Sequence, residues 1–370
     1  MLYPLNFLPI YKEMIWGGQK MKSIFKRVLP YEHTGESWDI SCRPNEMGVV
    51  ANGPCAGESF FDVISKPNRQ LWLGKNLSED KAFPLLVKLV DANDYLSVQV
   101  HPNDNAVRRL EPENPDGCKN EVWYILDAPE DANLIIGLRD GVSKSDFEKA
   151  LKSSSCDGGS AVMDCLNKLR IKPGDVVFIP AGLIHAITKG VMVAEIQQNS
   201  DITYRVFDYN RLGFDGKPRQ LHIDKALESA DFCGKLKKSA VRGLDAYEQT
   251  FYICNKYFAI ISRTLNEASE SSDPKKFFIY TCVEGSCTFT TEPGFETAAI
   301  AGDSIFIPAA LGPYAIASNQ SQPCKLIKSF VPDPWDDFIN PLLSAGYSLE
   351  DIKAGTSLDN EIAADMKSKL

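Results

Sequence analysis

The sequence predicts a mainly β protein that consists of two barrel-like domains in tandem, with a small helical insertion in the first. Most of the chain reads as short runs of β-branched and aromatic residues bounded by Pro, Gly, Asn and Asp, which is typical of antiparallel strands. In addition, the phrase "GDVVFIPAGLIHAI", which begins at Gly174, returns as "GDSIFIPAALGPYAI" from Gly302. Repetition at such a distance indicates a duplicated structural unit.

The predicted strands form two series along the chain. The first series comprises residues 95–102, 121–126, 132–138, 175–180 and 191–198. A second series starts near Tyr252 and includes "YFAIISRTL", "KFFIYTCVEGSCTFTT" and "GFETAAIAGDSIFIP". Each series contains one copy of the repeated phrase, so we expect each to form one barrel.

A helical insertion is predicted around residues 140–170, within the first series. The segment "SKSDFEKALKS" has candidate N-cap residues at Ser143 and Ser145 and apolar residues at helical spacing, and "SAVMDCLNKL" is similar. The charged C-terminal segment is also predicted to be helical. We therefore expect residues 1–240 to form the first domain, 241–330 the second domain and 331–370 a helical tail.

Charge and composition argue against several classes of partner. The 370 residues carry a formal net charge of −9, which disfavours nucleic acid and anionic membranes because those surfaces are bound mainly through Lys and Arg. The N-terminal segment lacks the features of a signal peptide, and no apolar run approaches the ~20 residues of a membrane helix. The ten cysteines have no zinc-binding spacing and read as reduced thiols. These features predict a cytoplasmic protein and leave its oligomeric state open.

Four polar residues of the first series could form one metal site. Gln99 and His101 are two residues apart in "SVQVHP", so their side chains lie on the same face of the predicted strand. Glu121 opens the next strand, and His185 follows the turn at Pro180. Their nitrogen and oxygen atoms suit zinc and leave one position for water or substrate. Because only one ligand is anionic, a divalent ion would keep a net positive charge and remain a Lewis acid.

Each histidine of the chain could also have a structural role. A histidine beside a proline is more often a hydrogen-bonded loop residue than a ligand, and a glutamate at a strand start is often solvated. The chain, however, has only four histidines, and His101 and His185 fall in the two segments where a metal site needs them. We interpret the other two, His33 and His222, as structural.

The Gly-Asp turn, the buried strand and the closing proline of the repeated phrase are typical of the cupin jelly roll. A closer resemblance is carried by "YKEMIWGG", "GESWDIS", "PLLVKLVDANDYLSVQVHPND", "KNEVWYIL", "FIPAGLIHAI" and "EIQQNSDITYRVFDYNR". Together these segments closely resemble type I mannose-6-phosphate isomerase in its short bacterial form. The resemblance extends from about Pro4 to Ile316.

The resemblance implies an enzyme with one zinc ion per chain and a defined set of site residues. The zinc ligands it implies are Gln99, His101, Glu121 and His185. Lys119, Glu195 and Arg205 correspond to polar residues of the family's catalytic site. Some longer members have a lysine where this chain has Arg211, which keeps the charge but replaces an ammonium with a planar fork.

The implied reaction interconverts mannose 6-phosphate and fructose 6-phosphate. It moves one proton between C1 and C2 through an enediol, so the site must polarise a carbonyl and supply a general acid/base. Zinc and Arg205 could stabilise the developing oxyanion. Either Glu195 or Lys119 could carry the proton, and the sequence does not distinguish them.

Recognition of the sugar phosphate needs local donors on this acidic protein. Lys88, Ser97 and Arg211 are candidates for binding the phosphate, and Trp16 is a candidate for an aromatic wall of the sugar pocket. Each could equally be an ordinary strand, surface or packing residue.

Two other classes of function share the predicted fold. A cupin oxygenase would place iron in the barrel, but such sites typically use an HxH pair, and Gln99 occupies the first of these positions. A catalytically silent sugar-phosphate-binding cupin would be expected to lack some of the ligands.

The second copy of the repeated phrase lacks metal-binding chemistry. Pro313 and Tyr314 occupy the place of His185, and Phe277 and Phe278 lie near the place of Glu121. Because a bare cation in apolar surroundings is heavily penalised, we expect the second barrel to be a dry module filled by side chains, without a metal.

Overall fold

The structure, a computed structural model, describes residues 1–65, 68–78, 81–233, 240–292 and 294–367. It is mainly β, as predicted. The strands that precede residue 242 are β1 Phe7–Leu8, β2 Ile10–Gly18, β3 Thr34–Ile40, β4 Cys42–Arg43, β5 Glu46–Met47, β6 Val49–Val50, β7 Leu85–Asp91, β8 Val98–Val100, β9 Glu121–Asp127, β10 Asn133–Leu138, β11 Leu166–Arg170, β12 Val176–Ile179, β13 His185–Ala186, β14 Met192–Gln198, β15 Tyr204–Phe207 and β16 Ala240–Val241.

The remaining strands and the helices complete the chain. The strands are β17 Leu244–Ala246, β18 Gln249–Cys254, β19 Ala259–Leu265, β20 Glu267–Ser271, β21 Phe278–Glu284, β22 Ser286–Thr291, β23 Glu296–Ile300, β24 Ser304–Ile307, β25 Pro313–Ser318, β26 Cys324–Phe330 and β27 Ser357–Leu358. The helices are α1 Lys20–Phe25, α2 Phe60–Ser65, α3 Arg69–Leu73, α4 Asp104–Leu110, α5 Lys144–Asp157, α6 Ser160–Cys165, α7 Ile223–Ser229, α8 Asn340–Ser344, α9 Leu349–Gly355 and α10 Asn360–Lys367, with a 3₁₀ turn at Gly53–Cys55 and a π turn at Trp335–Ile339.

The chain forms two compact units. The first unit comprises Tyr11–Ser37 and Leu89–Ala240, and the second comprises Met1–Ile10, Trp38–Lys88 and Val241–Leu370. Residues 1–10 and 38–88, which the sequence analysis assigns to the first domain, thus cluster with the C-terminal half of the chain instead.

Backbone pairing and ring packing account for this grouping. The backbone of Leu5 exchanges hydrogen bonds of 2.9 Å with Phe306, and the ring of Phe60 packs edge-on against Phe306 with the centroids 5.2 Å apart. The sequence pattern contains no signal for these long-range contacts.

Two facing sheets contain most of the strands of the first unit. The larger sheet has the strand order β16-β12-β9-β14-β7-β3-β2, and the smaller has the order β11-β10-β13-β8-β15. Ile125 and Val193 from the larger sheet share one buried cluster with Leu134 and Ile136 from the smaller. The sheets therefore pack face to face, which is the predicted jelly-roll arrangement.

The second unit repeats this arrangement. One sheet has the order β17-β18-β19-β26-β21-β24, with β27 also paired to β18, and the other has the order β20-β25-β22-β23. Cys282 and Leu326 from the first of these sheets share a buried cluster with Phe289 and Ile316 from the second. Ile352 of helix α9 packs into the same cluster, so the C-terminal helices belong to this core.

The two copies of the repeated phrase occupy equivalent places in the two jelly rolls. In the first, β12 pairs with β9 and places Ile179 opposite Glu121. In the second, β24 pairs with β21 and places Ile307 opposite Phe278. Phe278 therefore stands at the position that corresponds to Glu121.

The interior of the second jelly roll contains a polar layer in addition to its apolar side chains. The hydroxyls of Tyr280 and Tyr314 are hydrogen-bonded at 3.0 Å. The ammonium of Lys328 lies 3.8 Å from Glu270, which also pairs with Arg263. The two hydroxyls and the carboxylate of this layer are paired, whereas the Nε atom of Arg263 is buried without a hydrogen-bond partner among the described residues.

The helical insertion lies within the first unit. Helix α5 begins with Ser143 as its N-cap, in a capping box with Asp146. Phe147 and Val162 of the two helices pack into a cluster with Val98 of the smaller sheet. The second helix was predicted to reach residue 169 but ends at Cys165, because the next five residues pair with β10 as strand β11. Sheet pairing here overrides the local helical pattern.

Within the described ranges, none of the helices is long and apolar enough to cross a membrane. All ten cysteines are unpaired.

Candidate metal centre

Three buried side chains of the first unit form a compact group. His101, Glu121 and His185 present ligand atoms that all lie within 4.8 Å of one another. The Nε2 atom of His101 is 3.2 Å from Glu121 Oε1, and that of His185 is 3.7 Å from Glu121 Oε2. His185 lies on β13, His101 directly follows β8, and Glu121 begins β9. The two facing sheets thus converge on this group.

Backbone carbonyls fix the orientation of both imidazoles. Nδ1 of His101 lies 3.0 Å from the carbonyl oxygen of Ile202, and Nδ1 of His185 lies 2.8 Å from that of Leu183. A carbonyl oxygen can only accept, so Nδ1 carries the proton in each neutral ring. The lone pairs of both Nε2 atoms therefore face Glu121, as in histidines that bind metals.

Burial and neighbouring charges determine the ionisation of the group. Burial lowers the pKa of His101, and it lowers the pKa of His185 to about 3, so both rings are neutral at physiological pH. Burial alone would raise the pKa of Glu121, but the charge of Lys119 and the contact with His101 hold it well below its usual range. The group therefore offers two neutral nitrogens and one carboxylate.

This donor set fits a divalent cation. His101 Nε2 and Glu121 Oε2 are buried and have no hydrogen-bond partner among the described residues. Buried acceptors without a partner are costly, and the lone pairs of an imidazole nitrogen and a carboxylate cannot satisfy one another. A cation bound between them would satisfy both, and two imidazoles with a carboxylate are suitable ligands for zinc.

Gln99, the fourth predicted ligand, adjoins the group. Gln99 lies directly opposite His185 in the pairing of β8 with β13. The Nε2 atom of Gln99 lies 3.4 Å from His185 Nε2. The Oγ atom of Ser97 lies 3.4 Å from Gln99 Oε1. The fold thus brings all four predicted ligands to one place.

Lys119 and Glu195, the two candidates for proton transfer, have different surroundings. The ammonium of buried Lys119 lies 2.7 Å from Glu121 Oε1. Glu195 is also buried, and its Oε2 atom accepts a hydrogen bond of 2.9 Å from the indole of Trp123. The Trp123 ring packs edge-on against His185 with centroids 5.5 Å apart. Lys119 thus contacts the predicted ligand Glu121 directly, whereas the Trp123 ring connects Glu195 to the predicted ligand His185.

Arg205 is connected to the group through two hydrogen-bonding side chains. It lies opposite Gln99 in the pairing of β15 with β8. Its Nε atom donates to Ser97 Oγ at 3.2 Å, and Nη1 donates to the carbonyl of Gln220 at 2.8 Å. Burial and the charge of Arg219 lower the pKa of Arg205. The contacts run from Arg205 through Ser97 and Gln99 to His185.

Arg211 lies in a separate cluster of charged side chains. It pairs with Asp208 at 2.8 Å and with Asp94 at 3.2 Å. Arg219, which the sequence analysis missed, also binds Asp208, at 2.7 Å from Nε and 2.5 Å from Nη2. Nothing in the pattern around Arg219 distinguishes it from a solvated loop residue. The positive charge of Arg211 is already compensated by two carboxylates.

Two further predicted substrate-binding residues are buried. Trp16 is 4% exposed and packs in the cluster that contains Val90 and Trp123. Lys88 belongs to the second unit, and its ammonium lies 4.8 Å from the centre of the Trp38 ring. Roles of Lys88 and Trp16 in substrate binding remain predictions.

The chain matches family models and curated proteins over most of its length. The model "Phosphomannose isomerase type I, catalytic domain" matches residues 5–123, and "Mannose-6-phosphate isomerase, cupin domain" matches residues 247–331. A probable mannose-6-phosphate isomerase of Bacillus subtilis, GmuF, is 35% identical over 318 residues, which cover 85% of this chain and 96% of that protein. The chain belongs to the type I mannose-6-phosphate isomerase family. The family resemblance and the enzyme class predicted from the sequence are thereby confirmed.

A further relative and one solved structure agree with this assignment, and a second solved structure shares the fold. The mannose-6-phosphate isomerase of Streptococcus mutans is 33% identical over 333 residues, 88% of this chain and all of that protein (100%). The crystal structure of the mannose 6-phosphate isomerase from Bacillus subtilis superposes with a TM-score of 0.76 at 33% identity, covering 88% of this chain and 99% of that chain. A putative mannosephosphate isomerase from Archaeoglobus fulgidus shares the fold, with a TM-score of 0.67 at 21% identity over 89% of this chain and 98% of that chain.

Proposed function

We propose that this chain is a zinc-dependent enzyme that interconverts mannose 6-phosphate and fructose 6-phosphate through an enediol, in the cytoplasm. The observation that carries the proposal is the buried group of His101, Glu121 and His185, which leaves two acceptors without partners among the described residues. The substrate comes from the names of the relatives, each a mannose-6-phosphate isomerase.

One zinc ion per chain would be held by Gln99, His101, Glu121 and His185. When bound, zinc supplies a Lewis acid that polarises the reacting oxygens of the sugar. The carbonyls that fix the two imidazoles hold their Nε2 atoms in place before the ion arrives. Such preorganisation is what supporting hydrogen bonds contribute to a metal site.

Glu195 is our candidate for the group that carries the proton between C1 and C2. A carboxylate in a buried site is a suitable general base when it lies within reach of the substrate. The indole of Trp123 orients Glu195 from the side of His185. Lys119 has a different role in this proposal, because its ammonium is engaged by Glu121 at 2.7 Å: it keeps that carboxylate ionised.

Arg205 is proposed to stabilise negative charge on the reacting sugar. It approaches the metal group through Ser97 and Gln99, so it can act on the substrate without touching the ion. Lys88, Ser97 and Arg211 remain our candidates for phosphate binding, and Trp16 for the sugar wall. Arg219 joins this set because it shares Asp208 with Arg211.

A coupled assay tests this function. Mannose 6-phosphate is supplied, and fructose 6-phosphate is measured for the protein as purified, after exhaustive chelation and after zinc is restored. We expect turnover that disappears with the metal and returns with zinc. Full turnover in protein shown by elemental analysis to be metal-free would contradict the zinc mechanism. A zinc-loaded protein that binds the sugar phosphate without turnover would instead support a catalytically silent cupin.

A further inference from the structure

Gln197 is a fully buried polar residue beside the metal group that has no role in the proposal above. It lies near the end of β14, directly opposite Glu121 in the pairing of β14 with β9. Directly opposed residues of antiparallel strands lie on the same face, with Cβ atoms about 4.5–5.5 Å apart. Gln197 therefore shares the face on which Glu121 takes part in the metal group.

The hydrogen bonds of Gln197 determine which way its amide points. Its Nε2 atom donates to the carbonyl oxygens of Gln198 at 2.9 Å and Ser200 at 2.7 Å. Both partners can only accept, so this atom must be the nitrogen. Its Oε1 atom is buried and has no hydrogen-bond partner among the residues that the structure describes.

The nitrogen side of Gln197 supports a turn that leads to His101. The carbonyl oxygen of Ser200 accepts one of the hydrogen bonds from Gln197. The hydroxyl of Ser200 accepts a second hydrogen bond, of 3.5 Å, from the backbone N–H of Ile202. The carbonyl of Ile202 in turn orients the imidazole of His101. Gln197 thus fixes the backbone that sets the orientation of one predicted ligand.

The oxygen side of Gln197 adds to a surplus of acceptors. Its Oε1, Glu121 Oε2 and His101 Nε2 are three buried lone-pair atoms without hydrogen-bond partners in the described part of the chain. The nearby ammonium of Lys119 is engaged by Glu121 Oε1. Acceptors in such numbers need a cation, or a donor bound beside one.

We propose that Gln197 is a positioning residue of the metal centre with two distinct functions. Its nitrogen fixes the turn that orients His101, and its oxygen accepts a hydrogen bond from the water molecule or sugar hydroxyl beside the cation. The proposal rests on the metal site of the proposed function. It predicts that the oxygen matters to the metal-bound protein and the nitrogen mainly to the metal-free protein.

Two substitutions separate these functions. Gln197→Met removes the acceptor and the donors at nearly constant shape, whereas Gln197→Glu keeps an acceptor, adds a negative charge and loses the donors. The melting temperature of each protein is measured metal-free and at the same excess of free zinc, since a ligand stabilises by an amount that rises with the logarithm of its concentration divided by its dissociation constant. We expect both variants to melt below the wild type when metal-free. The rise in melting temperature on adding zinc should be smaller in Gln197→Met than in the wild type, because its affinity for zinc falls by about tenfold or more. In Gln197→Glu this rise should be larger than in the wild type.

Gln198→Met is the matched control, because it removes the same residue type from the next position of the same strand. The Oε1 atom of Gln198 accepts from Asn120 at 2.6 Å, on the other face of the strand. This variant should melt lower when metal-free but keep the wild-type zinc-induced rise. A change of the same sign in both Gln197 variants, or an equal loss in Gln198→Met, would overturn the role of Gln197. A wild type without any zinc-induced rise would overturn the metal site itself.

Discussion

The two jelly rolls of this chain place polar groups in the same layer and satisfy them in different ways. The strand pairing shows which positions of the two units correspond. Glu121 of the first unit corresponds to Phe278 of the second. The cross-strand pair Trp123 and Glu195 corresponds to Tyr280 and Lys328, and the cross-strand pair Gln99 and His185 corresponds to Glu270 and Tyr314. In the first unit these positions carry no cation, and one of their acceptors, Glu121 Oε2, is buried without a hydrogen-bond partner among the described residues. In the second they present a carboxylate together with a cation of the chain itself.

Lys328 shows how the second unit completes its layer. Its ammonium lies 3.8 Å from the centre of the Phe278 ring and 3.8 Å from Glu270. Burial lowers the pKa of Lys328, while the charge of Glu270 acts in the opposite direction. Arg263 supplies a second cation to the same carboxylate. The comparison teaches that the second jelly roll places two chain cations, Lys328 and Arg263, beside its carboxylate. The first leaves His101 Nε2 and Glu121 Oε2 without partners among the described residues even though Lys119 is present, which favours a bound ion there.

The largest expected effect follows from removing a ligand in the first unit only. His185→Ala deletes a neutral donor from a set of four, so zinc content and turnover should fall together, the latter by about 10³-fold or more. The matched control is Tyr314→Phe, at the equivalent position of the second unit, which should leave both unchanged. Elemental analysis and the coupled assay measure these quantities. A His185→Ala protein with stoichiometric zinc and normal turnover would refute the ligand assignment.

Arg205 should affect turnover without affecting the metal. Its contacts reach Ser97 and the Gln220 carbonyl rather than the three-residue group. Arg205→Ala should therefore retain zinc while turnover falls by roughly 10²-fold, the usual scale for one preorganised electrostatic group. If the planar guanidinium fork is required, Arg205→Lys should restore little of the turnover that is lost in Arg205→Ala. Loss of zinc from Arg205→Ala would show that this residue supports the metal site instead.

A substitution in the polar layer of the second unit should lower the stability of the protein without changing its zinc content or turnover. Glu270→Gln leaves the charges of Arg263 and Lys328 without their shared carboxylate, which for mostly buried cations costs about 3 kcal/mol. Denaturant unfolding measures the loss, and zinc content and turnover of the folded variant should match the wild type. A folded Glu270→Gln protein that has lost its zinc would break the distinction between the two layers.

A smaller, pH-dependent effect is expected at Asp208, the first unit's own carboxylate between two cations. Burial alone would raise its pKa, but Arg219 and Arg211 hold the pKa below its ordinary value of 3.8. Because the pKa of Asp208 is lower in the folded protein than in the unfolded chain, the ionised carboxylate stabilises the folded protein at pH values above its pKa in the unfolded chain. This stabilisation is lost as the pH falls through the pKa of the folded protein. The free energy of unfolding should thus exceed that of Asp208→Asn by a constant amount above about pH 5 and converge with it below about pH 4. A difference that grows on acidification would contradict this pairing.

Much of this organisation could be predicted because it depends on local patterns. The repeated Gly-Asp-strand-Pro phrase predicts equivalent strands, and the spacing of Gln99 and His101 places both on one face. Gln197 and Arg219 were missed because their roles depend on strand register and on a distant carboxylate. The polar layer of the second unit was missed because Lys328 alternates with buried residues in "CKLIKSF", a pattern that is also typical of a half-exposed strand. Long-range pairing, which local sequence does not encode, also moved residues 1–10 and 38–88 to the second unit.

The number of metal ions per chain tests the central claim most directly. Elemental analysis of zinc-reconstituted protein, after removal of loosely bound metal, is compared for the wild type, His185→Ala and Glu270→Gln. The account predicts one zinc per chain in the wild type and in Glu270→Gln, and a loss of that zinc in His185→Ala. Two metals per chain, with one of them lost on substitution in the second unit, would contradict it.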